Sequence, residues 1–303
     1  MDNVLWLGGG CGSGKTTISR ELAHRGDLQL YPVDAHGYEH LRRTGAALLQ
    51  ASLDERWLQP TPEELADRFV RDSERRLPLV LEDLGRLRDG PLVIAEGPQL
   101  FPALVAAHVA SPAHGVWLVP TEEFQRRMLS HRVEPSHTSD PELALRNRLD
   151  RDAILNRLIR RQAAELGLQV IDVDGSIGLY DMIQVVAGRF EEVLAAGRRA
   201  RDGAEHRRIR RIENTAVRDN LVAWRADVGA ERMPDPPRFG FACECATVQA
   251  CRERVLLSAT EYDEALRRPG RFVVARAHLV EGDREAAPLD ETACLVESLR
   301  PPR

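Results

Sequence analysis

The sequence predicts an α/β fold: a three-layer sandwich around a five-stranded parallel sheet, followed by a helical linker and a small α+β unit. Three observations predict it. Short apolar runs alternate with helix-length amphipathic stretches from the start to about residue 196, the pattern of a parallel sheet covered on both faces. A glycine-rich segment joins the first apolar run to the first helical stretch. Beyond residue 196 the character changes, to an arginine-dense segment and then a short cysteine-containing stretch. The expected divisions are 1–196, 197–232 and 233–303.

Residues 3–8 (NVLWLG) read as a buried strand, and a helix follows from about Lys15 to Arg25, with Gly26 placed to end it. Residues 28–33 (LQLYPV) are a second strand leading to Asp34, and a helical region follows from Tyr38 to Gln50. Thr61-Pro62-Glu63-Glu64 is a helix start: a threonine cap, proline in the first turn and a glutamate to close a capping box. That helix runs to about Leu87, with Pro78 a candidate break. Strands follow at 91–95, ending at Glu96, and at 115–119, which leads into a helix from Thr121 to about His131. Residues 132–141 lack apolar periodicity and read as a loop, and an arginine-rich helix covers about 142–166. A fifth strand at 168–173 and one helix over 177–196 complete the unit.

In the last third, Ile209, Ile212, Val217, Leu221 and Trp224 recur at helical spacing. The arginine run from Arg198 to Arg211 has no interleaved aromatics and reads as a solvated linker, so nucleic acid is not an expected partner. The Pro-rich stretch 233–238 is the expected boundary. After it come 239–245, a strand near 255–257, a helix opened by Ser258 and Glu261, and strands at 272–276 and 293–296.

Lys15 is the chain's sole lysine; every other basic residue of the 42 Lys plus Arg is arginine. It lies in Gly9-Gly10-Cys11-Gly12-Ser13-Gly14-Lys15-Thr16, a complete GxxxxGK[ST] phosphate-binding loop between a predicted strand and a predicted helix. An ammonium is a compact point charge that fits a tight ring of backbone N–H groups, whereas a guanidinium is a broad fork. The expected nucleotide site is therefore residues 9–16 with Thr17, Lys15 lying on the β- and γ-phosphates and the Thr16 hydroxyl on Mg²⁺. Cys11 has no chemical duty in that pattern.

Phosphoryl transfer also needs a group to orient the acceptor and charge to stabilise the moving phosphoryl. Asp34 and Glu96 end neighbouring strands, where a parallel sheet gathers its site. Asp34 is the candidate acceptor of a substrate hydroxyl proton and Glu96 the candidate holder of a Mg²⁺-bound water, with the exchanged roles and a plain loop or cap acid as alternatives. Arg126, Arg127 and Arg132, then Arg146, Arg148 and Arg151, are candidate lid arginines, with Arg127 and Arg132 placed in the catalytic set; a solvated helix face is the alternative. His36, His40, Arg42 and Arg43 open the segment that would hold the acceptor, and either contact an anion or cap a helix.

With these parts named, the first ~195 residues resemble the P-loop nucleoside, nucleotide and small-molecule kinase superfamily. The matching residues are GGCGSGKT, YPVD (31–34), IAEGP (94–98), the arginine-bearing lid and the closing Asp172-Val173-Asp174-Gly175. The resemblance implies ATP- and Mg²⁺-dependent phosphorylation of a small hydroxyl-bearing molecule. From another class, the alternative is a nucleotide-gated regulatory protein whose C-terminal unit binds a protein partner.

Cys243, Cys245, Cys251 and His278 give three thiols and an imidazole, a sufficient set for a structural Zn²⁺; small buried core residues are the alternative. The stretch 241–245 (FACEC), with 261–262 (EY) and 271–274 (RFVV), resembles a small actinobacterial domain of unassigned function. A net charge of −5 argues against a general polyanion or membrane binder. No apolar run reaches membrane-span length and no secretory signal is visible, so a cytoplasmic location is expected.

Overall fold

A computed structural model describes residues 1–44, 52–130, 138–228, 238–246, 251–267, 270–280, 283–289 and 293–298. Strands β1 (Val4–Gly9), β2 (Gln29–Pro32), β3 (Val93–Glu96), β4 (Gly115–Pro120) and β5 (Gln169–Val173) form one parallel sheet in the order β2-β3-β1-β4-β5. Its strands read as unbroken apolar runs because both faces are covered. Leu5 and Leu7 of β1 face one layer, containing α1 (Lys15–Arg25), α8 (Leu179–Arg189) and α9 (Glu191–Ala196). Val4 and Trp6 face the other, containing α4 (Pro62–Arg86), α5 (Pro102–Val105) and α7 (Pro141–Leu166). The three-layer α/β architecture is the expected one.

Several elements differ from expectation. Pro78 does not break α4, which runs unbroken over 25 residues behind the Thr61–Glu64 capping box. Pro78 and Glu74, whose carbonyl loses its partner, both face solvent, while Val80 and Leu84 beyond the proline stay in the core. Water can satisfy the freed carbonyl, and burial on both sides of the proline outweighs its cost of roughly 3 kcal/mol. The single helix expected over 177–196 is two, α8 and α9, because Phe190 leaves helical geometry where its side chain is fully buried. The second helical region is α2 (Gly37–Thr44), and residues 45–51 lie outside the described residues. Short helices α3 (Leu53–Trp57) and α6 (Glu122–Leu129) precede α4 and α7.

The arginine run is where expectation fails most. Helix α10 (Gly203–Val228) takes in most of it and is wedged between the α/β layers and the C-terminal unit. Arg207 and Arg210 are only 4% and 1% exposed, so this is no solvated linker. Each of the two has a carboxylate, Arg207 donating from Nη2 to both Asp283 oxygens (2.6 and 2.7 Å) and Arg210 to Glu213 (2.8 Å), while the half-buried Arg211 forks onto Glu244 (2.7 Å twice). His206 meets Asp27 and His24 meets Glu213, each at 3.0 Å, tying α10 to the end of α1. Apart from Glu213, three residues from Arg210 in the same helix, these pairs join groups far apart in sequence, so the pairing is invisible until the chain folds.

The C-terminal unit has strands β6 (Phe239–Ala242) and β7 (Arg254–Leu257) paired antiparallel, helix α11 (Ala259–Ala265), and a three-stranded antiparallel sheet. That sheet has β10 (Ala293–Ser298) between β8 (Arg271–Ala275) and β9 (Asp283–Pro288). Strand β9 was not expected: its DREAAP sequence has no apolar alternation, as an edge strand permits. The Asn214 side chain of α10 both donates to the Ala242 carbonyl and accepts from its N–H (2.9 and 2.7 Å), so the unit is bonded to α10 as well as packed on it. The boundary stretch 233–238 falls outside the described residues except for Arg238. No helix among the described residues is long and apolar enough to cross a membrane.

Candidate phosphoryl-transfer site

The loop between β1 and α1 folds tightly around the Lys15 ammonium. Gly9 (φ +121°) lies so close to β4 that a Cβ would sit 2.1 Å from the Leu118 carbonyl oxygen, which excludes any side chain. Gly14 (φ +86°) holds the left-handed turn that starts α1, a conformation glycine alone adopts cheaply. Lys15, 5% exposed, donates from Nζ to the Gly10 carbonyl at 2.6 Å and to Ser13 Oγ at 3.4 Å, so its charge sits inside the loop. Cys11, Gly12, Gly14, Lys15, Thr16 and Thr17 line a cavity of about 640 Å³.

Asp34 lines the same cavity from the short turn Val33–His36 after β2. It is exposed, and Gln99 donates to its Oδ1 at 2.6 Å. Glu96 ends β3 opposite Leu7 of β1 and Pro32 of β2. Its carboxyl is 2% exposed and hydrogen-bonded to Thr16, while its Oε2 is buried with no hydrogen-bond partner. Burial first, and the charge of Asp34 second, push its pKa up to about 7 against the opposing pull of Lys15. A buried, orphaned carboxylate oxygen beside a hydroxyl is a donor set that suits a hydrated divalent cation.

Of the candidate arginines, Arg148 and Arg151 of α7 line the cavity. Arg151 is bound to Asp152 through Nε (2.8 Å) and Nη2 (2.5 Å), and its guanidinium lies over the rings of Trp57 and Phe69 at 5.1 and 5.4 Å. Arg127 does not line it; its guanidinium lies over Phe124 at 5.3 Å on an exposed face of α6. Arg126 borders a separate cavity of about 360 Å³, Arg146 is exposed, and Arg132 lies outside the described residues. His36 and His40 also turn away from it. His40 is fully buried against Asp83 at 2.9 Å, and Tyr31 donates to the same Asp83 oxygen at 2.8 Å. His36 stacks on Tyr31 at 4.3 Å, and burial holds its pKa down at about 4. Arg43 pairs with Glu82 at 2.5 Å and Arg42 is exposed.

Several supporting residues carried no motif. Gln125 of α6 donates to the Cys11 carbonyl (2.8 Å) and to Asp152 (3.2 Å), and accepts from Asn156 (3.2 Å), bracing the loop from behind. A signal existed: Arg148, Asp152 and Asn156 recur every four residues, a polar stripe that α7 turns inward. Arg76 of α4 donates to the Val33 carbonyl at 2.7 Å beside Asp34. Asn220, Leu221 and Trp224 of α10, with Phe239 of β6, also line the cavity, and no local pattern announced it.

In the C-terminal unit, the ligand atoms of Cys243, Cys245, Cys251 and His278 all lie within 4.8 Å of one another. His278 Nδ1 is 3.1 Å from Cys251 Sγ and 3.7 Å from Cys243 Sγ. Tetrahedral zinc with Zn–S bonds of about 2.3 Å separates its sulfurs by roughly 3.8 Å, so the set has the composition and span of such a centre.

The chain is similar to shikimate kinases. One, from Acinetobacter baumannii in complex with shikimate, shares 19% identity over 62% of this chain and 93% of its own, with a TM-score of 0.35. A second, from Bacteroides thetaiotaomicron, shares 12% over 63% and 98%, with a TM-score of 0.34. A putative kinase from Chloroflexus aurantiacus shares 18% over 61% and 97%, with a TM-score of 0.34. No family model and no curated protein matches the sequence.

Proposed function

We propose that this protein is an ATP- and Mg²⁺-dependent phosphotransferase acting on a small hydroxyl-bearing acceptor in the cytoplasm. The observation that carries the reading is one cavity bordered by both the Lys15 loop and Asp34, with Glu96 and its unpartnered oxygen behind Thr16. A cradle alone would suit any nucleotide binder; an acid facing the same space supplies what transfer to an acceptor needs.

In this reading the backbone of residues 9–16 and Lys15 would hold the triphosphate, and Thr16 and Glu96 are the residues that would hold Mg²⁺. The bound metal would neutralise charge on the β- and γ-phosphates. Asp34, kept in place by Gln99, takes the proton of the acceptor hydroxyl as its oxygen bonds to the γ-phosphorus and the bond to the β-phosphate oxygen breaks. The exposure of Asp34 and the burial of Glu96 favour this division of roles over the exchanged one. Arg148 and Arg151 are the best-placed lid cations. Zinc held by Cys243, Cys245, Cys251 and His278 would be structural, since four ligands leave no open position. The unit from residue 233 onward is then a metal-stapled accessory domain.

The test incubates purified protein with ATP, Mg²⁺ and pooled nucleosides, nucleotides, sugars and aminoglycoside-like alcohols, following phosphate transfer by mass spectrometry. Transfer is expected in the wild type and absent in Lys15→Ala, and Asp34→Asn loses transfer while keeping ATP binding. Hydrolysis of ATP with no acceptor phosphorylated across the screen would favour the nucleotide-gated alternative. Elemental analysis of the same sample is expected to find one zinc per chain.

A further inference from the structure

The cavity beside Lys15 has a second character away from its phosphate end. A chain with only 5% aromatic residues places five of them around this one space: Tyr38, Trp57, Phe69, Trp224 and Phe239. Of the four tryptophans, Trp6 and Trp117 are sealed in the core, while Trp57 and Trp224 are half-buried and border the cavity. Trp224 and Phe239, together with Leu221 and Asn220, come from α10 and β6, outside the three α/β layers. The space is therefore incomplete without the appended part of the chain.

This aromatic wall is tied to the acid. Tyr38 follows Asp34 by four residues, and its N–H donates to Asn220 Oδ1 of α10 at 3.3 Å. Gln99, which donates to Asp34, has its own Oε1 buried with no partner. The Arg151 charge is matched by Asp152, and its guanidinium lies over the rings of Trp57 and Phe69 at 5.1 and 5.4 Å. Beside these rings the lining carries Asp34, Gln99, Asn220, Arg148 and Arg151, so a ligand there meets ring faces as well as directed polar groups. A flat ring needs faces to stack on, and every base or aromatic ring can use them.

We infer that the acceptor subsite is completed by α10 and β6, and that its substrate is an alcohol carrying a flat unsaturated ring, such as a nucleoside or an aromatic alcohol, stacked among Trp57, Phe69, Trp224 and Phe239 with its hydroxyl directed to Asp34. This rests on the phosphotransferase reading and names its acceptor class.

Calorimetry on the full-length protein, saturated with AMP-PNP and Mg²⁺ so that the nucleotide site is filled, tests it. The probes are uridine and 4-hydroxybenzyl alcohol against glucose and myo-inositol. The flat-ring probes are expected to bind at least about tenfold more tightly than the polyols, and Trp224→Ala to weaken them by about 10- to 100-fold. Trp224→Leu keeps an apolar side chain but removes the flat face, and should lose most of the same affinity; unchanged AMP-PNP affinity shows that each variant is folded. Polyols binding as tightly as the flat rings, no binding of either flat-ring probe, or variants that bind like the wild type would each overturn the inference. Tight flat-ring binding without any transfer would retain the subsite and sink the phosphotransferase reading. Transfer to polyols alone would do the reverse.

Discussion

Glu96 offers a prediction that joins stability to chemistry. The unfolded chain ionises this carboxyl near 4.5, whereas in the fold it does so at about 7, through burial and then the charge of Asp34. Between those values the folded state keeps a proton that the unfolded state has released. Stability therefore falls as pH rises through this window and is level above it. At about 1.4 kcal/mol per pH unit, the gap corresponds to roughly 3 kcal/mol. In nucleotide-free protein with a chelator present, Glu96→Gln removes the penalty. Urea unfolding at about pH 4 and about pH 8 should show the variant gaining about 3 kcal/mol on the wild type between the two. A fixed offset from the amide itself cancels in that comparison. Asp34→Asn should shrink the wild-type effect, since Asp34 is the second cause of the shift. A difference that does not change with pH would refute the reasoning, because it would mean that Glu96 ionises alike in both states. The same substitution should lower phosphoryl transfer, so the residue costs stability where it serves chemistry.

Further tests bear on the loop and on the α10 seam. Lys15→Arg keeps the charge, but the ammonium is 5% exposed and 2.6 Å from the Gly10 carbonyl, leaving no room for a fork; ATP turnover in a coupled assay should fall by about 100-fold or more. Tyr262→Phe deletes the 2.6 Å hydrogen bond to the fully buried Glu244, and chemical denaturation should show a loss of about 2 kcal/mol, as for a bond to a charged acceptor. Asp83 and Glu213 are both held at about 2, through hydrogen bonds from His40 and Tyr31 and through the charges of His24 and Arg210, although burial opposes each. Their contribution is present above about pH 4.5 and is lost as pH falls towards 2; denaturation midpoints of Glu213→Gln and wild type should therefore converge in acid.

The parts legible in the sequence were those whose cause is local. The phosphate loop needs glycines at fixed offsets, the α4 start needs threonine, proline and glutamate in adjacent places, and the sheet strands need only short apolar runs. The placement of Asp34 and Glu96 at neighbouring strand ends was reachable because strand ends in a parallel sheet share one edge. Edge strand β9, the kink at Phe190 and the continuity of α4 through Pro78 were not, since each depends on what lies beside it.

The arginine run shows the limit best. Composition marks Arg207 and Arg211 as charge and says nothing of where Asp283 and Glu244 will stand. A solvated linker and a buried helix have the same local sequence; only long-range pairing, which makes burial of a guanidinium affordable, separates them. The sequence by itself determined the loop proposed to hold phosphate, because that motif is written in eight consecutive residues. The tertiary structure alone decided what faces that loop, because Trp57, Phe69, Trp224 and Phe239 meet around one cavity from distant parts of the chain.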